Sequence, residues 1–216
     1  MLTENVKNNL PVSRAENKLA GAAQAFSYDF RDKIVLDIGS STGGFTEYAL
    51  LRGAKKVIAV EKGTKQMKAP LRFDPRIDLR EKTDIFTVTR DSLSENQTLE
   101  INTILADVSF ISLKKVLLHA KYQLASPATD FLVMLKPQFE AKLHQLKSGI
   151  IKNEKIRRDI IKDFEAWLKQ SGFLIINKRD NLLAGKNGNL ERFYYLKIAK
   201  NKLILTLKSI SAIKTL

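Results

Sequence analysis

Short apolar runs recur along the chain and alternate with stretches whose apolar residues fall at helical spacing. Ile34-Val35-Leu36 ends in Asp37, Val57 to Val60 ends in Glu61, and Ile104-Leu105-Ala106 ends in Asp107. Phe131 to Leu135 is the most hydrophobic run and ends at Lys136-Pro137. Runs this short, closed by a polar residue, predict buried parallel strands. A third strand and a turn at Thr83-Asp84-Ile85 are expected within Asp78 to Val88, and Phe173 to Ile176 and Arg192 to Ile198 are the last two strands. Between them the spacing predicts helices. These are Arg14 to about Phe26 behind an N-cap at Ser13, Phe45 to Arg52, a short one over Thr64 to Leu71 stopped near Pro70, Leu113 to Leu124, and a basic one over Asn153 to Gln170. Asp91 to Leu99 reads as a loop or a frayed helix. The alternation predicts a doubly wound, mostly parallel α/β sheet over residues 13–198. Residues 1–12 form a flexible lead-in, and 199–216 a basic extension in which Leu203 to Leu216 is either an extra strand or a helix.

The segment Lys33 to Phe45, KIVLDIGSSTGGF, is a strand, a glycine-bearing turn and a helix start. Glycine lets a ligand approach bare backbone, and a helix N-terminus offers N–H groups to an anion. The plain alternative is an ordinary strand–helix turn. Glu61 closes the second run, where nucleotide-binding α/β folds hold ribose hydroxyls, so the ligand is expected to contain an adenosine. The loop lacks the G-K-[ST] ending of a P-loop, and Ser41 replaces the middle glycine of G-x-G-x-x-G. With Asp37 at the strand end, the pattern suits S-adenosylmethionine: its ammonium meets the acid and its carboxylate the loop amides. A dinucleotide is the weaker reading. The cofactor site is accordingly expected at Asp37, Gly39, Ser41, Thr42, Gly43, Gly44, Phe45, Glu61, Lys62, Asp84, Ile85 and Asp107. Asp84 could accept from an adenine amino group or simply mark a surface turn.

Composition narrows the choices. The 216 residues suffice for one sizeable core, and the absence of cysteine excludes disulfides, thiolate metal sites and a cysteine nucleophile. His119 and His144 are not at paired ligand spacing, so no metal is expected. No run approaches a membrane span and the start is not signal-like, which points to a cytoplasmic protein. The formal net charge of +14 attracts polyanions, nucleic acid first among them. The competing explanation is a lysine-rich proteome.

Four strand ends carry charge: Asp37, Glu61, Asp107 and Lys136. A lysine closing an apolar strand is costly to bury unless paired, and Pro137 holds it extended. The alternative is a lysine marking where the strand reaches water. Asp107-Val108-Ser109-Phe110 stands where amino-group methyltransferases carry an Asn/Asp-Pro-Pro-aromatic turn, and it has no proline. A hydroxyl acceptor is therefore favoured, and a lysine near an acid can assist loss of its proton.

The stretches VSRAENKL, LDIGSSTGGFTEYALLRGAKKVIAVEKG, LRFDPRI, ADVSFISLKKVL, LVMLKPQFE and GNLERF, in this order from Val12 to Leu196, resemble the TlyA (hemolysin-like) family of ribosomal RNA 2′-O-methyltransferases, within the FtsJ-like group. The resemblance implies a Rossmann-like methyltransferase fold with an antiparallel last strand, S-adenosylmethionine as cofactor, and RNA as partner. It also implies a catalytic set of Lys18, Asp107, Lys136 and Glu191. From the residues alone, Lys18 reads as an exposed helix lysine and Glu191 as a strand-start glutamate. The chain departs from the family twice. The residues before Ser13 are too few for the usual N-terminal α-L type RNA-binding domain, which is expected to be absent. Ala15-Glu16 also stand where a glycine pair follows Ser-Arg.

Three readings compete: an RNA ribose methyltransferase, a non-catalytic RNA-binding or ribosome-assembly factor on the same fold, and a membrane-active hemolysin. The absence of a spanning segment and the intact cofactor loop count against the third; the first is favoured, and whether S-adenosylmethionine raises the melting temperature and a methyl group reaches RNA separates it from the second.

Overall fold

The computed structural model describes residues 14–93, 100–181 and 188–199. The lead-in, the N-cap at Ser13, most of the expected 91–99 loop and the C-terminal extension after Ala199 lie outside them. The order is α1 (Arg14–Ala25), β1 (Ile34–Ile38), α2 (Gly44–Leu51), β2 (Lys56–Val60), β3 (Ile77–Arg80), α3 (Arg90–Leu93), β4 (Thr103–Ala106), α4 (Leu113–His119), β5 (Asp130–Leu135), α5 (Glu154–Gln170), β6 (Phe173–Asp180) and β7 (Arg192–Ile198). The strands form one sheet in the order β3-β2-β1-β4-β5-β7-β6. The first five are parallel, and β7 slots antiparallel between β5 and β6. This is the doubly wound sheet with an antiparallel last strand that the chain pattern and the resemblance predict.

Period-two alternation assigns each strand residue to a helical layer. Val35, Val57, Leu105, Leu132, Met134 and Phe193 pack under α1 and α2 with Leu19, Phe45 and Leu50. Leu36, Ile58, Ile104, Phe131, Val133 and Tyr194 pack against α4 and α5 with Leu117, Phe164 and Leu168. Both faces are covered, which is why the central strands read as unbroken apolar runs. Asn153 caps α5, accepting from the Lys155 and Ile156 N–H groups.

Two local expectations are corrected. Thr64 to Leu71 is not a helix; bends run to a 3-10 turn at Leu71–Phe73. Amides of its first turn go to a carboxylate instead of helical carbonyls: Gln66 N–H donates to Glu81 Oε1 at 3.1 Å, and the Lys65 backbone also binds Glu81. The helix starting at Leu113 loosens into a π turn over Ala120–Leu124.

Candidate active site

The alternation that sorts the core also aims the strand-end charges. Asp37, Asp107 and Lys136 fall on the same strand parity as Val35, Leu105 and Met134, so all three point to the α1/α2 side. Glu191, the residue before β7, shares the parity of Phe193. Leu135 pairs with Arg192, so Lys136 and Glu191 come next where the β5–β7 ladder opens.

The four residues close two ion pairs. Lys136 Nζ stands 2.6 Å from Asp107 Oδ1 and donates to Ser109 Oγ at 2.8 Å. The backbone at Lys136 is extended, φ −108° and ψ 97°, as the following proline requires. Lys18 Nζ meets Glu191 Oε2 at 2.5 Å, its lysine presented by α1. Glu191 is held in place through its neighbours: Arg157 Nε donates to Leu190 O at 3.3 Å, and Asn181 N–H to Glu191 O at 2.8 Å.

Beside the Lys136–Asp107 pair lies a cleft of about 590 Å³ beyond the carboxyl ends of β1, β2 and β4. Gly39, Ser41, Glu61, Lys62, Asp84, Ile85 and Asp107 line it, with apolar walls from Ile38, Val60, Val108, Ile111 and Val116. Seven of the expected cofactor residues are thus brought together. The other five are beside it or beneath it. Asp37 is fully buried, and Thr46 Oγ1 donates to its Oδ2 at 2.7 Å while Oδ1 has no hydrogen-bond donor among the described residues. Burial pushes its carboxyl up to about 7. Phe45 packs on Phe193 with ring centroids 5.9 Å apart, and Thr42, Gly43 and Gly44 lead into α2.

The loop's glycines also answer to packing within the protein. Gly43 sits at φ 94°, and a Cβ there would come within 2.4 Å of Leu71 Cδ2. At Gly39, φ 80°, a Cβ would meet Asp107 O at 3.0 Å, so this glycine lets β1 and β4 ends converge. The loop amides are also engaged within the protein. Gly39 and Ser40 N–H donate to Val60 O, Ser41 N–H donates to Glu61 Oε2 at 2.9 Å, and Gly43 N–H donates to Ser40 O. Glu61 therefore fixes the loop, its Oε1 accepting from Gly63 N–H and Gln66 Nε2, and keeps an acceptor site at Oε2 beside the cleft it lines. Asp84 pairs with Lys62 Nζ at 2.9 Å and accepts from Phe86 N–H, both of which hold its carboxyl below the usual range.

Sequence reasoning assigned no role to Ser109, Phe110 or Glu140. Phe110 is 92% exposed at φ 64°, its ring 5.2 Å from that of Phe139 at the cleft's edge. An aromatic three residues past a strand-end aspartate was the available signal; the left-handed backbone that turns it outward was not.

The cleft can hold S-adenosylmethionine on its own chemistry. Its size is that of small-molecule sites, Glu61 suits a ribose diol, and apolar walls at Val60, Ile85 and Val116 suit a purine. Among the described residues no helix is long and apolar enough to cross a membrane.

Comparison with known proteins agrees with this geometry. The chain is 34% identical over 187 residues to the 16S/23S rRNA (cytidine-2′-O)-methyltransferase TlyA of Mycobacterium tuberculosis, covering 86% of this chain and 68% of that protein. YqxC of Bacillus subtilis is 37% identical, and the chain spans 65% of its length. A hemolysin-named protein of Lactococcus lactis superposes with a TM-score of 0.81 at 33% identity, over 86% of this chain and 88% of that one. A family model described as FtsJ-like methyltransferase matches residues 11–197, and the chain belongs to that family.

Proposed function

We propose that this protein transfers a methyl group from S-adenosylmethionine to a ribose 2′-hydroxyl of RNA, with ribosomal RNA as the substrate class. The observation that carries this reading is the Lys136–Asp107 pair, whose aspartate lines an adenosine-sized cleft, with the Lys18–Glu191 pair at the adjoining end of the β5–β7 ladder. The cofactor supplies an electrophilic methyl whose leaving group needs no acid. What the protein must add is a positioned hydroxyl and relief of the charge that builds on its oxygen.

Lys136 Nζ is the group for that oxygen. Asp107 and Ser109 fix it from two sides, so a positive charge stands ready without reorganisation. As the carbon–sulfur bond breaks and the carbon–oxygen bond forms, the hydroxyl proton passes to Lys136 Nζ while that ammonium gives one of its own to Asp107, so the proton ends on the carboxylate and the lysine stays charged. Lys18 and Glu191 orient the ribose from the adjacent ladder end. Glu61 holds the cofactor diol, and Asp107 faces both the cleft and Lys136. Phe110 offers an exposed ring face for the base of the nucleotide being modified, as RNA-reading aromatics do.

The test is methyl transfer from labelled S-adenosylmethionine to ribosomal subunits and to free ribosomal RNA, followed by nucleoside mass spectrometry. The expected product is a 2′-O-methylated nucleoside. A methyl on a base, or transfer unaffected by Lys136→Ala, overturns the assignment.

A further inference from the structure

The loop that follows β4 and the loop that follows β5 run side by side and touch in sequence order. Asp107 and Ser109 meet Lys136, and Phe110 meets Phe139. At the far end, Ser112 Oγ donates to Glu140 Oε2 at 2.7 Å and Leu113 N–H donates to Glu140 Oε1 at 2.6 Å. Ser112 is the N-cap residue of α4, yet its hydroxyl makes no cap bond. The capping is done by a carboxylate from another strand's end.

A helix start carrying its own serine needs no such help. Recruiting Glu140 also costs desolvation, and burial holds its carboxyl above the ordinary range despite the donors from Ser112 and Leu113. What the arrangement adds beyond a cap is a rigid distance between the two loops. We propose that Glu140 is a positioning residue of the methyl-transfer centre: it fastens residues 107–113 to residues 136–140 and so keeps Asp107 and Ser109 around Lys136 Nζ. The inference rests on the ribose methyltransferase reading above. Glu140 acts through Lys136 and touches neither substrate nor cofactor.

The test compares wild type, Glu140→Ala and Glu140→Gln in the full chain. Single-turnover methyl transfer to ribosomal subunits, S-adenosylmethionine affinity by calorimetry, melting temperature, and labelling of Lys136 by an amine-reactive ester are each measured. Glu140→Ala is expected to lower the transfer rate about 10- to 100-fold, the cost of a catalytic group displaced by about an ångström. Cofactor Kd and RNA KM should stay within about twofold, the split that marks lost positioning. Lys136 labelling should rise. Glu140→Gln keeps an acceptor for Ser112 but not a second one for Leu113, so it should fall between, and it decides the matter if Glu140→Ala does not fold. A folded variant with wild-type rate and wild-type labelling overturns the proposal, as does a loss confined to cofactor affinity. If wild type itself methylates no ribose, the functional reading fails, and unchanged Lys136 labelling in the variants would then overturn the positioning role separately.

Discussion

Lys18 and Glu191, 173 positions apart in the chain, close a 2.5 Å ion pair with side chains only 11% and 5% exposed. Removing one member strands a buried charge. Glu191→Ala should therefore destabilise the fold by about 3–5 kcal/mol. A Lys18→Met, Glu191→Leu double replacement should regain most of that loss in stability while turnover stays lowered, because the ribose is no longer oriented. Urea unfolding alongside a methyl-transfer assay checks both arms, and recovered activity in the double variant would deny the pair a role in the reaction.

Lys136→Ala should remove most turnover, about 10²- to 10⁴-fold, with cofactor affinity near wild type and a lowered melting temperature, because Asp107 is left part-buried without its partner. Asp107→Asn should also lower the rate, and the two losses should not add, because both residues act at Lys136 Nζ. Single-turnover kinetics on the single and double variants measure this; additive losses would separate the two roles.

At the cofactor cleft, Glu61→Ala should weaken S-adenosylmethionine binding by about 2–4 kcal/mol. Part of that loss comes from the loop, since Glu61 accepts from Ser41 and Gly63 N–H. Gly43→Ala should act differently, lowering stability because a side chain is strained at φ 94° and Leu71 must move aside for it. Calorimetry on both variants, with melting curves, distinguishes them.

Asp37 makes stability depend on pH. Its folded carboxyl is raised from 3.8 to about 7, so between these values the folded state binds more protons than the unfolded chain. Its contribution to stability therefore falls as pH rises from about 4 to about 7, by an amount on the order of a few kcal/mol. Asp37→Asn should abolish this dependence, so the variant gains on wild type at pH 8 relative to pH 4. Urea unfolding at the two pH values reads the difference, and parallel curves would contradict it.

On α5 the basic residues divide. Arg157 is buried against Asp180 at 2.7 Å, whereas Lys155, Arg158 and Lys162 are exposed. Replacing the exposed three with alanine should weaken RNA binding and flatten its salt dependence. Arg157→Ala should lower stability instead. Filter binding across a salt series, with melting curves, tests the separation.

The sheet was legible in the sequence because buried parallel strands show as short apolar runs, and Asp107 and Lys136 were legible because each closes one. That Lys136 is held extended followed from Pro137 alone. Other features depended on contacts no local pattern contains. Lys18 reads as an ordinary helix lysine until β7 inserts beside β5 and sets Glu191 against α1. Arg157 reads as one more basic helix residue until β6 brings Asp180 to it. Thr64 to Leu71 reads as a helix until Glu81 claims the amides of Lys65 and Gln66. Asp37 was expected to face a ligand, yet α2 covers it and Thr46 binds it. Alternation and strand ends are properties of neighbouring residues, so sequence determines them. Which charge meets which depends on strand order, and strand order exists only once the sheet has closed.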